Sequence, residues 1–262
     1  MNKKTNNSKL RQNMYFTALI DIARRAGAKI LDYYHNQHLE ITYKNDESPL
    51  TDADINSHKI ISSELMAISN LPIISEESKS IYTKSEKYWL IDPLDGTKEF
   101  INKNGEFNVN IALIENQFPT IGIVYHPLKS VAYIGGSNFG SVKIDSSNDQ
   151  KNILVSQPTT PIRVVASRSH LNDLTTTFIN SLGSVKTIQA GSSLKFCLIA
   201  DGMADIYPRL GPTSEWDTAA AQAVVEGAGG SVLTLEGGRL CYQKNNIRNP
   251  YFVVRGKNTL NL

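Results

Sequence analysis

The sequence predicts an α+β protein in which mixed sheets are layered with helices. Three observations carry that reading. Amphipathic helical patterns open the 262-residue chain. Short apolar strands with hairpin punctuation follow from Asn108 to Ile144. Beyond residue 151 strand and helix patterns alternate, which calls for helices packed on a second sheet.

From Phe16, the positions Leu19, Ile20, Ala23, Ile30, Leu31 and Tyr34 keep returning to one helical face, so a long amphipathic helix is expected. A second helix starts near Thr51-Asp52-Ala53-Asp54, whose short oxygen side chains suit an N-terminal cap. Ile61, Leu65 and Ile68 form its expected buried stripe. Leu71 to Ile74 and Tyr88 to Ile91 read as buried strands, each running into acidic residues. Asn108 to Ile114 and Thr120 to Tyr125 pair around Asn116-Gln117, and Val131 to Ile134 and Ser141 to Ile144 extend an antiparallel meander. Ser146 to Lys151 reads as a polar loop. After it, strands are expected at Ile162 to Ala166, Val185 to Gln189, Ala204 to Tyr207, Ser231 to Leu235 and Tyr251 to Arg255. Helices are expected near Asn172 to Ser181, Ser192 to Ala200 and Trp216 to Glu226, the last ended by Gly227 and Gly229-Gly230. The organisation is then a polar tail at 1–13 and one fold over 14–262, with halves at 14–150 and 151–262.

Composition narrows the function classes. With 40% hydrophobic and 20% charged residues, the chain is globular in type. Lys plus Arg number 27 against 25 for Asp plus Glu, a net charge of +2. That is too little net charge for an electrostatic nucleic-acid or polybasic membrane-binding reading, with a local basic patch left open. Cys197 and Cys241 make neither a metal spacing nor a disulfide framework, so a reducing, cytoplasmic setting is expected. No stretch approaches the ~20 apolar residues of a membrane span, and the first residues carry no secretory signal.

Acidic residues mark four element ends: Asp54, Glu76-Glu77, Asp92-Pro93-Leu94-Asp95-Gly96-Thr97, and Asp217 after Trp216. Each has a structural explanation alone. Asp-Pro-Leu-Asp-Gly is good turn chemistry, and Asp54 or Asp217 can cap a helix. Taken together they point elsewhere. Acids gathered at strand ends repel one another unless a cation lies between them. An oxygen-only ligand set suits Mg²⁺ better than zinc, and the turn before Gly96-Thr97 offers backbone N–H groups to a phosphate. That combination points to metal-assisted phosphoryl hydrolysis.

Ile74-Ser75-Glu76-Glu77-Ser78, Trp89-Leu90-Ile91-Asp92-Pro93-Leu94-Asp95-Gly96-Thr97 and Glu215-Trp216-Asp217-Thr218-Ala219-Ala220 with Gly229-Gly230 resemble the Mg²⁺-dependent, lithium-sensitive phosphatases of the inositol monophosphatase superfamily. Within it, Lys98-Glu99-Phe100-Ile101, Ser167-Arg168-Ser169-His170, Gly191-Ser192-Ser193-Leu194-Lys195-Phe196-Cys197 and Tyr207-Pro208-Arg209-Leu210-Gly211-Pro212-Thr213 resemble the CysQ-type 3′(2′),5′-bisphosphate nucleotidases. The resemblance implies a layered αβαβα sandwich of the inositol monophosphatase and fructose-1,6-bisphosphatase type. It places most metal ligands in 14–150, and Asp217 with the substrate residues in 151–262.

By that resemblance, Glu76, Asp92 and the backbone carbonyl of Leu94 hold one Mg²⁺, while Asp92, Asp95 and Asp217 hold a second. Glu76 serves catalysis as a ligand, Thr97 orients the attacking water, and Asp54 accepts a hydrogen bond from Thr97 to relay the proton. Gly96, Thr97, Lys98, Ser167, His170, Gly191, Ser193, Lys195 and Asp217 are the implied substrate residues. The implied substrate is adenosine 3′,5′-bisphosphate, a small-molecule nucleotide cleaved to AMP and phosphate in support of sulfate assimilation. Two rivals stay open: an inositol or sugar phosphatase with the same metal site, and a non-catalytic Mg²⁺ or phosphate-binding protein on the same fold. The sequence is neutral on oligomeric state and on peripheral attachment to the cytoplasmic membrane face.

Overall fold

In a computed structural model of the chain, the described residues are 2–35, 41–43, 49–78, 82–167 and 172–257, with side chains from residue 15 onward. Helix α1 (Asn2–Tyr34) buries Leu19, Ile22, Ala23, Ala26 and Ile30, three or four residues apart on one face. Its backbone reaches back to Asn2, so the segment expected as a polar tail is helical from there on. Strands β1 (Ile41–Tyr43) and β2 (Pro49–Thr51) form a small antiparallel pair that the sequence reading did not assign. Helix α2 (Asp52–Ile68) buries Ile61 and Leu65, but Ile68 is 37% exposed at its last turn rather than part of the stripe.

A seven-stranded sheet follows, built from β3 (Ile73–Ser75), β4 (Lys87–Asp95), β5 (Asn108–Glu115), β6 (Phe118–His126), β7 (Val131–Gly136), β8 (Gly140–Ile144) and β9 (Gln150–Ile153) in that spatial order. Only β3 and β4 run parallel; the remainder is the expected meander. Asn116 and Gln117 both take positive φ, 49° and 69°, as a tight two-residue hairpin requires. The short helix α3 (Thr97–Ile101) leads away from β4. Strand β9 overlaps the segment expected as a loop. It is an edge strand whose first three residues are exposed, so its polar composition carries no strand periodicity.

The second sheet has the order β11-β10-β12-β14-β13, with β10 (Ile162–Ser167), β11 (Val185–Ala190), β12 (Ile206–Arg209), β13 (Ser231–Thr234) and β14 (Phe252–Arg255). Its helices are α4 (Asp173–Ser181), capped by the Asn172 side chain, α5 (Leu194–Ala200) and α6 (Ala219–Gly227). Side-chain alternation shows how the layers stack. On β4, Trp89 and Ile91 face the core under α1 and α2, while Tyr88 and Leu90 face the core shared with α5 and α6. On β10, Val165 joins that shared core, and Val164 and Ala166 pack with Ile179 of α4. The layers are therefore α1/α2, large sheet, α5/α6, small sheet, α4: an αβαβα sandwich.

Helix α6 lies unusually close to the large sheet. A Cβ at Gly122 of β6 would sit 2.2 Å from the carbonyl oxygen of Ala220, so only glycine admits the helix there. The Ala219-Ala220-Ala221 start of α6 is the matching smooth surface, and it brings the residues just before the helix toward the carboxyl end of β4.

Candidate active site

Because β3 and β4 are parallel, both release their carboxyl ends at the same edge, with Ser75 opposite Ile91. Glu76 follows directly, and its N–H donates to the Ile91 carbonyl at 3.2 Å. Helix α2 braces both ends: Ser57 Oγ donates to the Pro93 carbonyl at 2.7 Å, and His58 Nδ1 lies 2.9 Å from Ser75 Oγ.

Asp92 and Asp95 are three residues apart, so a regular strand would place them on opposite faces. Here the register against β5 shifts, with Asp92 opposite Asn110 but Asp95 opposite Asn108. Three steps on β4 match two on β5, and this bulge turns Asp95 to the same side as Asp92. Gly96 then takes a φ of 93° with its backbone against the Glu106 carbonyl, which swings the chain into α3 and presents Thr97.

Glu76, Asp92 and Asp217 offer carboxylate oxygens that all lie within 4.8 Å of one another. Asp217, expected inside a helix starting at Trp216, instead sits in the turn before α6, where its Oδ2 accepts from the Ser214 N–H at 2.7 Å. Asp95 stands outside that tight trio but lines the same cleft. Its Oδ2 accepts from the Ser193 N–H at 2.6 Å and from Asn110 Nδ2 at 3.1 Å. Burial first, and then the repulsion of Glu76, Asp95 and Asp217, push the Asp92 carboxyl well above the usual range. Asp217 is pushed up to about 7 by burial and by Asp95 and Glu76. These are acids waiting for a cation.

Asp54 is buried in the first turn of α2. Its Oδ2 accepts from the Thr51 N–H at 2.8 Å and Thr51 Oγ1 at 2.6 Å, and its Oδ1 accepts from Thr97 Oγ1 at 3.1 Å. Burial raises its pKa against those hydrogen bonds. Thr97 Oγ1 is also 3.2 Å from the Leu94 carbonyl oxygen.

A cleft of about 220 Å³ opens over these groups, and its lining includes Glu76, Asp92, Leu94, Asp95, Thr97 and Asp217. Gly96, the exposed Lys98, Ser167, Gly191, Ser193 and Lys195 line the same cleft. His170 lies outside the described residues. Lys195 is 6% exposed, and its ammonium has no hydrogen-bond or ion-pair partner among the described residues. It sits 5.6 Å from the Tyr207 ring centre, and burial draws its pKa down to about 8 despite nearby Asp95. Sequence reasoning gave no role to Arg209, which lines the same cleft, or to Asn110, which holds Asp95. A polar amide inside an otherwise apolar strand was the available signal for Asn110, because buried amides need partners.

The sandwich and an oxygen-only acid cluster at the strand ends define a metal-dependent phosphatase. Residues 11–255 match the profile of the inositol monophosphatase family, and the chain belongs to that family. Among its relatives, the 3′(2′),5′-bisphosphate nucleotidase CysQ of Salmonella typhimurium is 43% identical over 239 residues, 89% of this chain and 96% of that protein. The protein of the same name from Buchnera aphidicola is 44% identical over 229 residues, 86% of each chain. The crystal structure of CysQ from Bacteroides thetaiotaomicron matches with a TM-score of 0.83 at 38% identity, over 92% of this chain and 96% of that one. A Thermotoga maritima IMPase shares the fold, with a TM-score of 0.74 at 21% identity over 93% of this chain and 92% of that one. No helix among the described residues is long and apolar enough to cross a membrane.

Proposed function

We propose that the chain is a Mg²⁺-dependent 3′(2′),5′-bisphosphate nucleotidase that hydrolyses the 3′-phosphate of adenosine 3′,5′-bisphosphate to AMP and phosphate, in support of sulfate assimilation. The observation that carries the nucleotidase reading is the pair of cations in the same cleft as the acid cluster: Lys195, only 6% exposed, and Arg209, whose buried Nε has no hydrogen-bond partner among the described residues. A substrate with one phosphate at the acids and a second at Lys195 answers both groups. An inositol monophosphate answers only the first. The names of the CysQ relatives support the same choice.

The donor set fits magnesium. It is carboxylate and carbonyl oxygen throughout, without thiol or imidazole, and its mutual repulsion is relieved by a hard divalent cation. Glu76, Asp92 and the Leu94 carbonyl would hold one ion, and Asp92, Asp95 and Asp217 the other. Bound there, magnesium neutralises phosphoryl charge and acidifies the attacking water. The chain's own groups do the rest. Thr97 Oγ1 orients the water and passes a proton toward Asp54 Oδ1, whose raised pKa suits it to accept one. Lys195, with Gly191, Ser167 and Lys98 lining the same cleft, holds and orients the remainder of the nucleotide. A binding protein has no use for the Thr97–Asp54 pair. Free Cys197 and Cys241 suit a cytoplasmic setting.

A phosphate-release panel tests the proposal, with adenosine 3′,5′- and 2′,5′-bisphosphates, 3′-phosphoadenylyl sulfate and inositol phosphates as substrates. The expected result is preference for the adenosine bisphosphates, with turnover that requires Mg²⁺, vanishes with a chelator and falls with Li⁺. Asp95→Asn should collapse the rate in a folded protein. Preference for inositol phosphate would replace the nucleotidase by its inositol phosphatase rival, and metal-independent turnover would remove the two-metal assignment.

A further inference from the structure

We infer that Asn110 is a positioning residue that ties the Asp95 carboxylate to the loop carrying Gly191 and Ser193, so that the metal side and the substrate side of the cleft are set together. Asn110 is the buried third residue of β5, between Val109 and Ile111. A primary amide in such a place is costly unless its hydrogen bonds are made. They are made to two elements at once. Nδ2 donates to Asp95 Oδ2 at 3.1 Å, and Oδ1 accepts from Ser193 Oγ at 2.9 Å. The amide orientation follows from chemistry, since a carboxylate accepts and only the nitrogen can face it. Ser193 closes the circuit, its N–H donating to the same Asp95 oxygen at 2.6 Å.

Two consequences follow. Both donors converge on Oδ2 of Asp95, while Oδ1 receives no hydrogen bond among the described residues and is left for ligation. The Ser193 hydroxyl is spent inside the protein, donating to Asn110 and accepting from Asn108 Nδ2 at 3.2 Å. Ser193 therefore serves the substrate by holding its loop, two residues before Lys195. A shift of that loop pulls on the Asp95 carboxylate, and a shift of Asp95 pulls on the loop.

The inference rests on the phosphatase reading in one respect, that Asp95 is a metal ligand. Titrating Mg²⁺ calorimetrically into the metal-free full chain, without substrate, tests it for the wild type, Asn110→Ala, Ser193→Ala and the double variant. KM and kcat for adenosine 3′,5′-bisphosphate and the thermal midpoint are measured beside it. Losing a group that orients a ligand should weaken Mg²⁺ binding about 10- to 100-fold in Asn110→Ala and raise KM with it. Ser193→Ala keeps the backbone donor to Asp95 and removes only the hydroxyl, so it should fold and show a smaller loss of the same kind. Acting through one circuit, the two changes should combine to less than the product of their separate effects. Lower thermal midpoints with unchanged Mg²⁺ affinity and KM, or effects that simply multiply, would overturn the inference. A wild-type protein that takes up no Mg²⁺ would overturn the phosphatase reading and this inference with it.

Discussion

Thr97 Oγ1 donates to Asp54 Oδ1 across 3.1 Å, joining the first turn of α3 to the first turn of α2 over 43 residues of chain. Neither group belongs to the tight acid trio, so they can be altered without removing a member of it. Thr97→Val keeps the volume and removes the hydroxyl. Its kcat should fall by about 10²–10⁴-fold, the usual scale of general acid–base assistance, with Mg²⁺ affinity retained. Calorimetry and turnover on the same preparation decide it: loss of Mg²⁺ binding alongside structure would make Thr97 a structural cap.

The acid cluster makes stability depend on pH in the metal-free protein. Folding raises the Asp92 carboxyl well above its usual range and Asp217 to about 7, against about 3.9 for an unfolded aspartate. The folded state then binds more protons than the unfolded one. These groups stabilise fully below about pH 4, and that stabilisation is lost as pH rises through about 7. Magnesium removes the repulsion, so the Mg²⁺-loaded protein should escape the loss. Thermal midpoints between about pH 5 and pH 8, with chelator and with Mg²⁺, should diverge as pH rises. A constant gap between the two curves would contradict a carboxylate-held metal.

The acids were legible because Asp92-Pro93-Leu94-Asp95-Gly96-Thr97 packs strand end, turn and helix start into six consecutive residues. A tight turn between them already suggests that the two carboxylates converge; what the sequence hid was the bulge that makes them do so. Strict alternation puts Asp92 and Asp95 on opposite faces, and only the bulge against Asn108 and Asn110 reverses that. The helices were legible where one face is apolar, as in Leu19 to Ile30. β9 was not, because an exposed edge strand reading Gln150-Lys151-Asn152 has no apolar face to show. Asn110 escaped for a related reason: periodicity reports what a strand buries, and is silent about which buried amide meets which carboxylate.

Asp205 supplies a stability prediction away from the cleft. It is fully buried, and accepts from the Arg163 N–H at 2.8 Å, Arg163 Nη2 at 2.6 Å, Thr159 Oγ1 at 2.8 Å and Ser156 Oγ at 3.0 Å. Burial pushes its carboxyl up, but these donors outweigh burial and hold it well below the usual carboxylate range. Its contribution is present above about pH 4 and lost as pH falls further. Asp205→Ala leaves Arg163 without its counter-charge and should cost about 3–5 kcal/mol. Urea unfolding should show a lower midpoint with an unchanged slope, and an unmoved midpoint would contradict the assignment.

Lys195 separates the nucleotidase from its inositol phosphatase rival. The residue is buried, with its ammonium 5.6 Å from the Tyr207 ring centre, and burial outweighs the attraction of Asp95, Glu99 and Asp217, so a second phosphate in the cleft would strengthen its charged form. Lys195→Met keeps the aliphatic stem and removes the charge. A charge-assisted hydrogen bond is worth about 1.5–3 kcal/mol, so KM for adenosine 3′,5′-bisphosphate should rise roughly ten- to a hundredfold. A monophosphate substrate should lose much less. The same side chain predicts a pH effect, since burial brings its pKa to about 8 in the free protein. As pH rises through that value the charge is lost, so KM of the wild type should climb above about pH 8, while that of Lys195→Met should not climb for this reason. Measuring kcat/KM for both substrates across that range, with both proteins, settles the role. Equal losses on bisphosphate and monophosphate would mean that Lys195 does not read the second phosphate.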